Sequence, residues 1–135
     1  MTGSAATGSA GLSVIVRSGD YESAHYALAL AAAALAVNKP AVLFFTMGGL
    51  RALQGPPAPL DGWERDAVHR ERGVGDFETL LAACVELGAR FIVCDMGLRS
   101  LGIDAGSLRG DVPFTVAGIV TLLEETRPGM HLVAL

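Results

Sequence analysis

Charge is scarce in this 135-residue chain: Asp, Glu, Lys and Arg make up 18% of it, where a soluble domain usually carries about 25%. With 51% hydrophobic residues, disorder is excluded past the first ten positions, because disordered segments are charged and poor in apolar groups. So little charge means that surface is hidden, in buried parallel strands or in subunit contacts. Basic runs are missing, and 10 Lys and Arg stand against 14 Asp and Glu. That excludes nucleic acid and anionic membrane surfaces as partners, since both bind clustered cations. Cysteine is limited to Cys84 and Cys94, too few for a disulfide scaffold. The segment Met1–Gly11 has neither a basic nor an apolar region, so it reads as an unstructured tail and not a signal peptide. A reducing cytoplasm is the expected compartment. The apolar stretch Ala24–Val37 contains His25 and Tyr26 and is shorter than the roughly 20 residues that span a bilayer. Phosphate-binding glycine loops and a Gly-x-Ser-x-Gly elbow are also missing. No metal-ligand spacing joins His25, His69 and His131 to the cysteines, so neither a metal nor a cofactor is expected.

What is present alternates strands and helices. Leu12–Arg17 is a β-branched run ending at Ser18-Gly19-Asp20 and reads as a buried strand. Tyr21–Asn38 is rich in helix formers, with Asp20 as N-cap and Asn38 and Pro40 as stop signals. Ala41–Thr46 is apolar on both faces, as in a parallel strand covered on both sides. Met47–Leu53 reads as a short helix. From Gln54 to Arg72 a Pro/Gly-rich passage and a charged stretch lack periodicity and read as a long loop, a lid or interface arm. Asp76–Leu87 is the next helix, Arg90–Cys94 a strand, Met96–Leu101 a short helix, Val112–Thr126 the last helix, and His131–Leu135 a closing strand. This alternation predicts one α/β domain over 12–135, with a mostly parallel sheet and helices on both faces.

In such sheets ligands bind beyond the carboxyl ends of the strands, at a topological switch point. Those ends carry Ser18-Gly19-Asp20, Thr46-Met47-Gly48-Gly49 and Cys94-Asp95-Met96-Gly97. If the strands are neighbours, Cys94 shares one rim with Asp20, His25 and Thr46. The candidate site is therefore Cys94, with Asp20, His25, Thr46, Gly48, Asp95 and Met96 around it. A helix N-terminus after Cys94 favours a thiolate, while the adjacent Asp95 opposes it. Equally, cysteine is a small buried hydrophobe. Position alone leaves both readings open. Cys84 lies mid-helix on a core face. An axial offset of about 7 Å between helix and strand positions keeps the two cysteines beyond disulfide reach. His25 reads either as a donor to a thiolate or as an ordinary hydrogen-bonded histidine.

Three segments resemble the DsrE/DsrF-like family, the DsrE/DsrF/DsrH and TusD/TusC/TusB sulfur-relay group. They are Ser18–Leu28, Val42–Gly48 and Leu87–Gly97, the last ending its strand at Cys94 and Met96. The resemblance runs from Leu12 to Leu135. It implies a three-layer α/β/α domain with a five-stranded parallel sheet, assembly into homo- or hetero-oligomers, and, as in some members, a persulfide on the residue aligned with Cys94.

The leading expectation is a sulfur-trafficking protein, a persulfide carrier using Cys94, with sulfur donor and acceptor proteins as partners. The alternative is a non-catalytic module of the same fold that binds a small ligand or another protein. Thiol redox catalysis is disfavoured, because no resolving cysteine lies within reach. The charge deficit, and the apolar surface it implies on a small domain, predict a homo-oligomer with Trp63 in its interface; taken with the oligomers that the resemblance implies, a trimer or hexamer is expected.

Overall fold

The computed structural model describes residues 10–135. The expected tail, Met1–Gly11, lies outside the described residues as far as residue 9. Gly11 itself is buried and its carbonyl accepts from His131 N–H at 3.1 Å, so the fold begins at least there.

Five parallel strands form one sheet in the order β4-β3-β2-β1-β5. They are β1 (Leu12–Val16), β2 (Ala41–Phe45), β3 (Arg90–Cys94), β4 (Phe114–Ala117) and β5 (His131–Ala134). The helices are α1 (Tyr21–Ala36), α2 (Arg65–Glu71), α3 (Phe77–Glu86), α4 (Asp95–Leu101) and α5 (Ile119–Glu125), with 3₁₀ turns at Met47–Leu53 and Ala105–Ser107. Both N-caps that precede the long helices are aspartates. Asp20 accepts from Ser23 N–H, and Asp76 accepts from Thr79 N–H, each satisfying one of the four donors that a helix start leaves free.

Strand alternation divides the core into two faces. Val14, Val16, Leu43, Phe45, Phe91 and Val93 point toward α1 and α3. Those helices approach closely because Ala24, Ala27, Ala31 and Ala34 present only methyl groups. Val42, Phe44, Ile92 and Cys94 point the other way, with Leu122 of α5 over them. This second cover is thin: α5 is seven residues long and buries Leu122 alone.

The chain steps from β1 to β4 in one direction, then crosses back to place β5 beside β1. Right-handed crossovers therefore put α1 and α5 on opposite faces. The topological switch point lies between β1 and β5.

Three expectations are corrected. Val112–Thr126, read as one helix, contains β4, a break at Gly118, and α5. Four residues on a half-exposed edge strand, three of them apolar, carry too little periodicity to be told from a helix. The charged stretch after Trp63, read as loop, holds α2, whose one buried residue is Asp66. A helix docked through a carboxylate has no apolar stripe to announce it. Trp63, expected at an interface, packs within its own chain, edge-on to Tyr21 and Phe77 at 5.3 and 5.4 Å between ring centroids.

Candidate functional site

Cys94 closes β3, and α4 starts at the next residue. Its side chain is fully buried. It lies on the α5 side of the sheet, with Ala117 of β4 opposite in register. Asp95 and Met96, the next two residues, are exposed. Asp95 forms an ion pair with Arg99 one turn on, at 3.0 Å.

Thr46 stands beside Cys94. Phe45 pairs with Val93, and Thr46 continues β2 in extended conformation, so it lies one step further along, level with Cys94 and on its face of the sheet. Thr46 is 8% exposed, and its Oγ1 is buried with no hydrogen-bond partner among the described residues. Buried hydroxyls are seldom left so. The next residue, Met47, has φ +50°, a strained value for a side chain without a local polar partner. Gly48 is a contact residue of another kind: a Cβ there would lie 2.9 Å from Gly19 N. It lets two strand-end loops touch.

Asp20 and His25 are placed apart from this group. Asp20 caps α1 and bridges to Asp61. His25 belongs to α1, on the opposite face of the sheet from Cys94, with Nε2 2.8 Å from Gly75 O. Both line an open cleft of about 400 Å³ that also includes His69 and Leu135. Asp20 follows β1 and Leu135 follows β5, so the cleft sits at the switch point. The structure thus brings together Cys94, Thr46, Asp95 and Met96, and separately Asp20 and His25. The two groups lie on different faces.

Sequence reasoning missed the residues behind this cleft. The Tyr21 hydroxyl is 2.6 Å from Asp66 Oδ1 and 3.1 Å from His69 Nδ1. The His69 ring stacks on His25 with centroids 4.3 Å apart. Burial first, then the neighbouring His25 and Arg65, hold the His69 imidazole below its usual pKa. These residues are 45 and 48 positions apart in sequence, and no local motif links them.

Cys84 sits in the α1/α3 core with Sγ donating to Leu28 O at 3.4 Å. Burial pushes its thiol up to about 11, which leaves almost no thiolate at neutral pH. Both cysteines are free. Among the described residues no helix is long and apolar enough to cross a membrane.

A family model for the DsrE/DsrF-like family matches residues 11–134. The chain belongs to the DsrE/DsrF-like family. Its fold is similar to that of the ychN protein from E. coli in a crystal structure, with a TM-score of 0.60 at 17% identity. That alignment covers 93% of this chain and 99% of the other. No curated protein sequence matches it. Membership of the DsrE/DsrF-like family supports a function of the sulfur-relay type. Within this member, Cys94 is the cysteine at a strand end and Cys84 the one in the helical core.

Proposed function

We propose that this protein carries sulfane sulfur on Cys94. The Cys94 thiolate attacks the outer sulfur of a donor persulfide. A new S–S bond forms as the donor's breaks, and the donor leaves as a thiolate. An acceptor thiolate then takes the outer sulfur in the same way, so no external oxidant or reductant is needed. The observation that carries this reading is the buried, unpartnered Thr46 hydroxyl beside Cys94: it is a ready donor for the charged outer sulfur of a persulfide. Access comes by movement of α5. That helix is far shorter than the roughly 12–15 residues an isolated helix needs, and its N-cap, Gly118, contributes no side-chain bond. Segments with few buried contacts open at low free energy.

Incubation with a persulfide donor, followed by intact mass, tests the proposal. Wild type and Cys84→Ser are expected to gain one sulfur, Cys94→Ser none, and Thr46→Val to gain it more slowly. Leu122→Ala, which thins the cover, is expected to speed alkylation of native Cys94 by at least about tenfold. No sulfur gain by wild type, or an equal gain by Cys94→Ser, sinks the carrier role. Complete burial of Cys94 favours a second reading, a non-catalytic binding or interaction module in which Cys94 packs as a hydrophobe. That outcome is the one in which only denatured protein reacts.

Donor and acceptor proteins are the partners this chemistry requires, and the reducing cytoplasm is the compartment that keeps such a thiol available. We also propose a homo-oligomer, a trimer or hexamer, assembled through the outer face above Cys94. Ile119, Val120 and Leu123 of α5 are exposed there. Light scattering at micromolar concentration is expected to show a multiple of 13.9 kDa, shifted toward monomer by Leu123→Glu. A wild-type species that stays monomeric on concentration overturns the assembly.

A further inference from the structure

The cleft at the β1/β5 switch point is occupied by nothing the sulfur chemistry uses, yet hydrogen bonding fixes the protonation pattern of its histidines. Asp66 is 4% exposed. Its Oδ1 accepts from Phe77 N–H at 2.8 Å and its Oδ2 from the Arg70 guanidinium at 2.8 Å. Both are obligate donors, so the carboxyl group is an acceptor toward its third partner. The single proton of the Tyr21 hydroxyl therefore goes to Asp66 Oδ1, at 2.6 Å. With that proton committed, the Tyr21 oxygen can only accept from His69, so Nδ1 of His69 carries the hydrogen across the 3.1 Å contact. His69 Nε2 is left with a free lone pair. A parallel argument holds for His25. Its Nε2 lies 2.8 Å from a carbonyl, which only accepts, so the proton of a neutral His25 is on Nε2 and Nδ1 is bare.

Two imidazoles with bare nitrogens suggest a metal, but the geometry opposes one. The rings are stacked 4.3 Å apart and tilted by only 30°. Lone pairs lie in the ring planes, so they run side by side and do not converge on one ion at about 2 Å. Hydrogen-bond donors are the better match. The cleft rim adds the carboxylates of Asp20 and Glu22, with Tyr26 alongside. The guanidinium of Arg65, 3.9 Å from Glu22, offsets part of that charge. Acceptors and net negative charge thus meet in a space of about 400 Å³, at the place where open parallel sheets bind ligands.

We propose that this cleft binds a small primary ammonium ligand, whose N–H donates to His69 Nε2 while its charge is balanced by Asp20 and Glu22. Tyr21 and Asp66 are positioning residues: they hold His69 in the tautomer that accepts. Binding is favoured while His69 is neutral and is lost as pH falls through the His69 pKa, which lies below 6.5. The groups facing that imidazole are Tyr21, Glu22 and His25 from α1 and Asp66 and Arg65 from α2.

The test uses histidine-¹⁵N-labelled protein and 1,4-diaminobutane, with 1-butanol as the uncharged control. Long-range ¹H–¹⁵N spectra of wild type are expected to show His69 protonated at Nδ1. The Nε2 resonance should shift on addition of the diamine and move little with butanol. His69→Gln is expected to weaken diamine binding by at least about tenfold. Tyr21→Phe is expected to weaken it several-fold, with a mixed His69 tautomer and an unchanged circular dichroism spectrum. An Nε2-protonated His69 in wild type overturns the proposal, as does full affinity in His69→Gln. Equal response to butanol does the same. Cys94→Ser should bind the diamine as wild type does, so failure here and failure of sulfur loading are separable.

Discussion

Asp66→Ala is expected to lower the free energy of unfolding by about 3–5 kcal/mol, the cost of removing one partner from a buried charged network. The carboxylate accepts from Tyr21 on α1, from the first backbone N–H of α3, and from Arg70 on its own helix. Alanine leaves the hydroxyl proton of the fully buried Tyr21 and the buried Phe77 N–H without their acceptor, and each such orphan costs about 1–3 kcal/mol. Asp66→Asn keeps an acceptor for Tyr21 and Phe77 but weakens the bond to Arg70, so a loss of about 1–2 kcal/mol is expected. Denaturant unfolding followed by Trp63 fluorescence reads both, since Trp63 packs on Tyr21. The same network gives an alkaline signature. Burial first, then Asp66, hold the Tyr21 phenol above its ordinary value of 10.0. Above that pH the unfolded chain releases the phenolic proton while the folded chain keeps it. Stability present below pH 10 is therefore lost as pH rises further. Tyr21→Phe should flatten that decline. A cost for Asp66→Ala under about 1 kcal/mol would mean that α2 is not anchored through its aspartate.

Much of the fold was legible because strong local signals agreed with the tertiary structure. Arg90–Cys94 and its following helix, the aspartate cap at Asp20, and the apolar run Ala41–Phe45 are short-range patterns. Where the signal was weak or long-range, it failed. The α2 helix is tied down by contacts to residues 45 and 11 positions away, and β4 is an edge strand with alternation too brief to register. The candidate site divides the same way. Sequence could place Cys94, Thr46 and Asp20 at strand ends, and all three are there. It could not tell which face each strand-end side chain takes, because β2 and β3 are apolar on both faces. Parity settles it. Cys94 lies two residues after Ile92 and shares its face, whereas His25 rides on α1 over the other. The strand order was equally out of reach, and with it the location of the switch point beside β1 and not β3.

Gly49→Ala is expected to cost at least about 3 kcal/mol, beyond the usual range for overpacking, because the obstacle is backbone and cannot rotate away. A Cβ at Gly49 would lie 1.9 Å from Val16 O. That same carbonyl accepts from Thr46 N–H at 3.0 Å, and Gly49 N–H donates to Arg17 O at 2.9 Å, so relief would tear the join between β1 and the turn after β2. Gly97→Ala meets Met47 N at 2.7 Å and Thr46 Oγ1 at 2.8 Å. The threonine side chain can rotate away, but the nearer atom, Met47 N, is backbone, so a cost of about 2–3 kcal/mol is expected. But the group it displaces is the hydroxyl beside Cys94, and sulfur loading should slow more than the melting temperature falls. Gly110→Ala is the control, with nothing within 4 Å of the added methyl, and should change stability by less than about 0.5 kcal/mol. Thermal melts and persulfide loading on the three variants separate the cases. If Gly97→Ala loads as fast as Gly110→Ala, Thr46 has no part in holding the outer sulfur. Near-wild-type stability of Gly49→Ala would show that the β1 carbonyl and the Thr46 turn are not packed as closely as the fold requires.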